Sequence, residues 1–180
     1  MRYFLFFLTL SQALIGLSIQ GRVGGFIPES SRFRCVYQTV LPDYQAELTL
    51  PFDHCLDSFV NIGFQCCNGS SDPLNIDCSL NVVPVSVGLK YNFYRCNNLS
   101  FYVGAGAAWA WLHESNDFDA CKIDNHINGP GGVLKFGVQR ICHCLNLGVY
   151  LDYRYQKIRS SSACVNIGGL AFGGSLGYQF

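Results

Sequence analysis

The chain has 180 residues, 13% of them charged and 14% aromatic, with 12 basic residues against 12 acidic ones. A charged fraction about half the ~25% of a typical soluble domain, with no net sign, excludes a nucleic-acid binder held by a basic surface. An apolar content of 49% excludes a disordered chain.

The first element is an address. Arg2 precedes the apolar runs Tyr3–Leu10 and Ala13–Leu17, and the small residues Gly16, Ser18 and Gly21 follow. A charged start, a greasy middle and a small-residue end predict a secretory signal peptide over 1–20. Gly16 and Ser18 suit a cut after Ser18; a cut near Gln20 is the alternative. Ser11 and Gln12 interrupt the run, against the ~20 mostly apolar residues of a spanning helix. The remainder, 21–180, is expected to be exported to a compartment that permits disulfides.

Beyond this the pattern has a period of two, the strand period. Residues 21–28 form a first strand with Val23 and either Phe26 or Ile27 outward; its glycines blur the phase. Tyr44, Ala46, Leu48, Leu50 and Phe52 then alternate with Gln45, Glu47 and Thr49. Val60, Ile62 and Phe64 form a third set, and Val83 to Phe93 a fourth. Phe101 to Trp111, Leu134 to Val138, Leu145 to Tyr155 and Leu170 to Phe180 complete eight. Eight is an even number, as a closed antiparallel barrel requires, and most segments approach the ~9–11 residues of a tilted spanning strand.

The composition of the two faces decides which one points inward. An eight-stranded barrel is only just wide enough for its own side chains. The apolar set is too bulky to fill it, and it carries no charge. The opposite set is mostly Gly, Ala, Ser, Asn and Gln with a few charges, and it fits inside. The greasy face therefore points into lipid, where only helices or closed barrels leave no backbone group unpaired. Tyr44, Phe52, Tyr91, Phe93, Trp109, Trp111, Tyr153, Tyr155, Tyr178 and Phe180 sit near strand ends, as interfacial girdles do. Connections 53–57, 94–98 and 140–144 are short, whereas 29–43, 67–80, 112–132 and 158–165 are mostly longer. Short periplasmic turns and long external loops follow, with both chain ends in the periplasm.

The C-terminal residues Leu170, Phe172, Leu176, Tyr178 and Phe180 resemble the terminal signal of bacterial outer-membrane proteins. The stretches Gly24–Pro28, Tyr102–Gly106 and Gly131–Gly137 likewise resemble strands of the small OmpA-like or OmpW-like barrels. The resemblance implies an eight-stranded outer-membrane barrel behind a cleavable signal peptide. It implies that Leu176, Tyr178 and Phe180 are read by the barrel-assembly machinery, and that outer-membrane lipid surrounds the protein. The chain stops at its last strand, so no periplasmic peptidoglycan-binding domain is expected.

Candidate chemistry is sparse. Glu47, Lys90, Lys135, Asp152 and Arg154 fall on the inward face. They read either as pore-lining groups or, since buried charges must be paired, as an interior ion network that plugs the barrel. Cys35, Cys66, Cys67, Cys78, Cys121 and Cys164 fall in or beside the external loops, and Cys55, Cys96, Cys142 and Cys144 in the periplasmic turns. None is expected mid-strand. All ten are disulfide candidates, tying loops or linking neighbouring envelope proteins. The pair Cys142 and Cys144 supplies too few ligands for a metal, and no cofactor is expected. His54, His113, His126 and His143 lie in loops or turns with no accompanying serine motif. A lip site of His113 and Glu114 with Asp117 or Asp119 is conceivable, but no enzyme is expected. A structural or surface-interaction role follows, with loops contacting a host surface or the envelope. The alternative is a narrow porin-like or OmpW-like conduit for small or apolar solutes.

Overall fold

The computed structural model describes residues 16–71, 76–96, 98–118, 121–159 and 164–180. These form β1 (Ser18–Pro28), α1 (Ser31–Val36), β2 (Leu41–Pro51), β3 (Leu56–Ser71), β4 (Ile76–Cys96), β5 (Leu99–Phe118), β6 (Cys121–Cys142), β7 (Leu145–Arg159), β8 (Cys164–Asn166) and β9 (Gly169–Gln179). Each strand from β1 to β7 pairs antiparallel with the next, and β9 pairs with both β7 and β1. The sheet closes into an eight-stranded antiparallel barrel; β8 is a three-residue strand that pairs antiparallel with the loop end of β7. Closure leaves no free edge within the wall, the condition for crossing lipid with strands. No helix among the described residues is long and apolar enough to cross a membrane.

Alternation sets the two faces. Val87, Val149 and Leu176 are each more than half exposed on the outside, while Arg22, Glu47 and Asp152 are buried inside. Aromatics gather at both rims of this apolar band. At the turn end Tyr94 meets Phe101 edge-on, with ring centroids 5.6 Å apart, and Tyr178 meets Phe180 at 4.9 Å. Toward the loop end Tyr44, Trp109, Trp111 and Tyr155 face outward.

The phase left open in β1 is resolved: Phe26 points inward and is buried. The expectations for the loop end are corrected. The segments 67–80 and 112–132 are mostly paired strand, not loop: β3 and β4 pair to Ser71 opposite Ile76, and β5 and β6 to Phe118 opposite Cys121. Above the lipid the outer face no longer needs apolar residues, so the pattern fades while the hydrogen-bonded ladder continues. The first connection contains α1, capped by Ser30, whose hydroxyl accepts from the Phe33 N–H. Finally, Cys66 and Cys67 lie within β3, and Cys67 is buried in the lumen, its Sγ 3.5 Å from the Leu80 carbonyl. Strand β1 also begins at Ser18, so Ser18, Ile19 and Gln20 pair with Thr49, Leu48 and Glu47 on one side and Gln179, Tyr178 and Gly177 on the other. Of the segment 1–20, residues 1–15 lie outside the described residues.

Candidate functional site

The lumen is the place where unusual chemistry collects. β1 contributes Arg22, β2 Asp43 and Glu47, β4 Lys90, β6 Lys135, and β7 Asp152 and Arg154. All point inward because they share the phase opposite the apolar set. Lys135 and Asp152 are direct register partners, and so are Lys135 and Gly104, and Gly104 and Lys90. Gly104 lets the two lysines flank it: a Cβ there would lie 3.1 Å from Lys90 Cγ and 3.4 Å from Lys135 Cβ.

Glu47 is the hub. Its carboxylate receives Lys90, Lys135 at 3.0 Å and Arg22 at 3.1 Å. Arg22 also grips Asp152 with two nitrogens, at 2.9 and 3.2 Å, and Lys135 reaches the same carboxylate at 2.8 Å. The Arg22 guanidinium lies 3.7 Å from the Tyr150 ring centroid, so the aromatic face adds cation–π attraction. Arg154 is not part of this cluster. It pairs with Asp43 at 3.2 Å, where Gln45 and Gln65 also donate to the Asp43 carboxylate. Gln45 joins the two clusters by accepting from Arg22 at 3.1 Å. Every carboxylate of the two clusters has at least two donors, as buried ions require.

Arg22 and Asp43 complete the network, and both were open to period-two reasoning. Arg22 is one residue from the outward Val23, and Asp43 is one residue before the outward Tyr44. Glycines mask the first and the expected loop boundary hides the second.

Above the charges, toward the loop end, the lumen turns apolar. Phe26, Leu41, Leu80, Val82, Leu112 and Ile167 form a buried cluster, and Phe33 and Tyr37 from the α1 connection pack against it. An ion network and a greasy plug thus lie in series. Each occupies a cross-section that a barrel of this size can fill with side chains.

The cysteines are distributed over both ends. Cys55, Cys96 and Cys144 are exposed at the turn end and Cys142 is half-buried there. Cys66 is exposed on β3. These five and Cys67 are free thiols in this structure. The side chains of Cys35, Cys78, Cys121 and Cys164 lie outside the described residues, as do those of Glu114, Asp117 and His126, and Asp119 altogether. His113 and His126 are register partners on β5 and β6. No metal-binding group of three or more ligands occurs among the described residues. Leu176, Tyr178 and Phe180 face outward from the closing edge, and the Phe180 N–H bonds the Leu17 carbonyl.

No protein-family model matches the chain, and no curated protein matches it. Solved structures do. Neisserial surface protein A superposes with a TM-score of 0.65 at 15% identity, covering 91% of this chain and 97% of that one. The attachment invasion locus protein Ail of Yersinia pestis, in complex with the heparin analogue sucrose octasulfate, gives 0.55 at 14%, covering 92% and 97%. The N-terminal β-barrel domain of Pseudomonas aeruginosa OprF gives 0.55 at 14%, covering 91% and 97%. At these identities the likeness is one of fold: the chain folds as a small eight-stranded outer-membrane barrel.

Proposed function

We propose that this protein is an integral outer-membrane barrel that serves as a closed scaffold, with a non-catalytic structural or surface-interaction role carried by its loop end. The observation behind this reading is the doubly sealed lumen. A solute would have to break the pairs around Glu47 and Asp152 and then displace the plug around Phe26 and Leu41. That arrangement weighs against the narrow conduit. Lipid surrounds the apolar band, and the three short turns face the periplasm together with both strand ends at Ser18 and Gln179. The paired extensions of β3–β4 and β5–β6 then project outward, where a host surface or neighbouring envelope proteins meet them. Ail is a barrel of this fold seen in complex with a heparin analogue, which supports a surface-contact role.

Export by a signal peptide and assembly through Leu176, Tyr178 and Phe180 belong to the same reading. Cleavage after Ser18 keeps Ile19 and Gln20, which are paired on both sides, whereas a cut near Gln20 removes them; either cut removes Ser18, itself paired with Thr49 and Gln179. The cysteines at the two ends serve as disulfide links to loops or neighbours once oxidised, Cys67 excepted by its burial. Planar-bilayer recording decides between scaffold and conduit: no conductance is expected, and a stable open state overturns the scaffold reading. For the cysteines, non-reducing gels of the envelope are expected to show multimeric or faster bands that collapse on reduction. A single monomer band under both conditions removes the cross-linking role.

A further inference from the structure

Two pairs of small residues in the N-terminal segment have the spacing that a processing protease of the export pathway reads, one position apart on the leader side of the cut: Gly16 with Ser18, and Ser11 with Ala13. The folded chain uses the first pair for something else. Gly16 is held at a φ of 101°, in the left-handed region that favours glycine, and a Cβ there would lie 3.0 Å from Pro51 Cγ. Its N–H donates to the Phe180 oxygen at 2.9 Å, and the Phe180 N–H donates to the Leu17 carbonyl at 2.9 Å. Ser18 is 5% exposed and stands opposite Thr49 on β2 and Gln179 on β9. Its Oγ accepts from Gln20 Nε2 at 3.4 Å inside the lumen.

Gly16, Leu17 and Ser18 are therefore part of the wall. They pair with the last residues of β9 along the seam where the barrel closes. A cut after Ser18 takes these partners from Gln179 and Phe180, and a cut near Gln20 takes those of Gly177 and Tyr178 as well. Either cut reopens a free strand edge at the one place where the closed barrel has to remove it.

We propose that the export leader is removed at the Ala13–Leu14 bond, so that the barrel keeps Gly16, Leu17 and Ser18 as the end of its closing seam. The inference rests on the export reading above. Water hydrolyses the bond, leaving a carboxylate on Ala13 and an ammonium on Leu14. The bond itself lies outside the described residues, and its features are those of the sequence. Arg2 supplies the charged start, Tyr3–Leu10 the apolar run, and Ser11 and Ala13 the small positions. At 13 residues the leader is short against the usual ~15–30, but its run of eight meets the ~7–15 that the apolar core needs.

The test expresses the full chain in a Gram-negative host and reads the N-terminus of the outer-membrane form by Edman sequencing and intact mass. An N-terminal Leu14 is expected. Ala13→Leu is expected to lose that N-terminus, because a large side chain then stands where the protease requires a small one. Ser18→Asn stays polar for the lumen but is too large for a cleavage position, and is expected to begin at Leu14 as wild type does. Heat-modifiable gel mobility verifies that each variant is folded, and the wild-type N-terminus decides alone if a variant does not fold. An outer-membrane chain that begins at Ile19 or Gly21 overturns the proposal and leaves the export reading standing. So does processing that survives in Ala13→Leu and fails in Ser18→Asn. A chain that keeps Met1 overturns the proposal, and one that also stays out of the outer membrane overturns the export reading with it.

Discussion

Removing the hub of the interior network isolates the worth of its ions. Glu47→Ala deletes the one carboxylate that Lys90 touches among the described residues, leaving that ammonium with the Thr49 hydroxyl at 3.4 Å and the Tyr102 ring, 4.8 Å from its centroid. Arg22 and Lys135 keep Asp152. One buried cation is thus stranded, and breaking a buried pair from one side costs about 3–5 kcal/mol. With a urea slope of ~1–3 kcal/mol/M, the unfolding midpoint should fall by roughly 1–5 M. Trp109 and Trp111 face outward on β5 and sit in lipid, so their fluorescence reports transfer to water on unfolding. The double variant Glu47→Ala with Lys90→Met removes the stranded charge and should recover much of the loss, giving a coupling energy of ~0.5–3 kcal/mol. Coincident midpoints for wild type and Glu47→Ala would refute the network as a stabilising element, and so would a double variant as unstable as the sum of the singles.

Val149 is outward and mid-wall between Val138 and Gly174, so Val149→Arg should cost about 2–4 kcal/mol in a detergent heat-shift gel. Gly137→Ala places a methyl 2.4 Å from the Tyr102 hydroxyl oxygen and 2.5 Å from the ring carbon that bears it, and should cost about 1–3 kcal/mol by the same assay, a loss that Tyr102→Phe should not relieve because the ring carbon stays. His143 holds a positive φ of 58° in the two-residue turn joining β6 and β7, so His143→Gly should stabilise the barrel by about 1 kcal/mol in urea unfolding.

Legibility followed the bilayer. Within it, one face must be apolar and the ladder must close, so Leu145 to Tyr155 and Leu170 to Phe180 can be placed by phase alone. Above it neither demand applies. The His113–His126 pairing carries no period-two signal, although its backbone is strand. Inside the lumen, phase places Glu47, Lys90, Lys135 and Asp152 on one surface, but not which carboxylate meets which cation. That depends on how the strand register brings separate strands to one level, and nothing local encodes it. Arg154 shows the limit: it shares a face and a strand with Asp152, two residues away, yet pairs with Asp43 across the lumen. Cys67 shows another. A cysteine in a stretch of Cys, Asn, Gly and Ser reads as loop, and only pairing with Leu80 turns it into part of the plug.

The two fillings of the lumen divide its labour along the axis. Ion pairs join β1, β2, β4, β6 and β7 by directional contacts at one level, so a register slip in any of these strands by one residue would turn a charge into lipid. The apolar plug has no such directionality, and it sits where α1 and the loop-end extensions meet the barrel. Sequence change at the loop end can therefore be absorbed by non-directional packing without disturbing the wall. A surface that contacts partners is thereby mounted on a frame whose register is fixed by charges below it. Exchange of whole extensions between barrels of this fold tests that division. Chimeras that replace residues 67–80 should keep the wild-type unfolding midpoint to within about 1 kcal/mol so long as Leu80 and Cys67 are retained, the scale of ordinary surface change. A loss as large as that of Glu47→Ala would show that the loop end and the frame are a single cooperative unit.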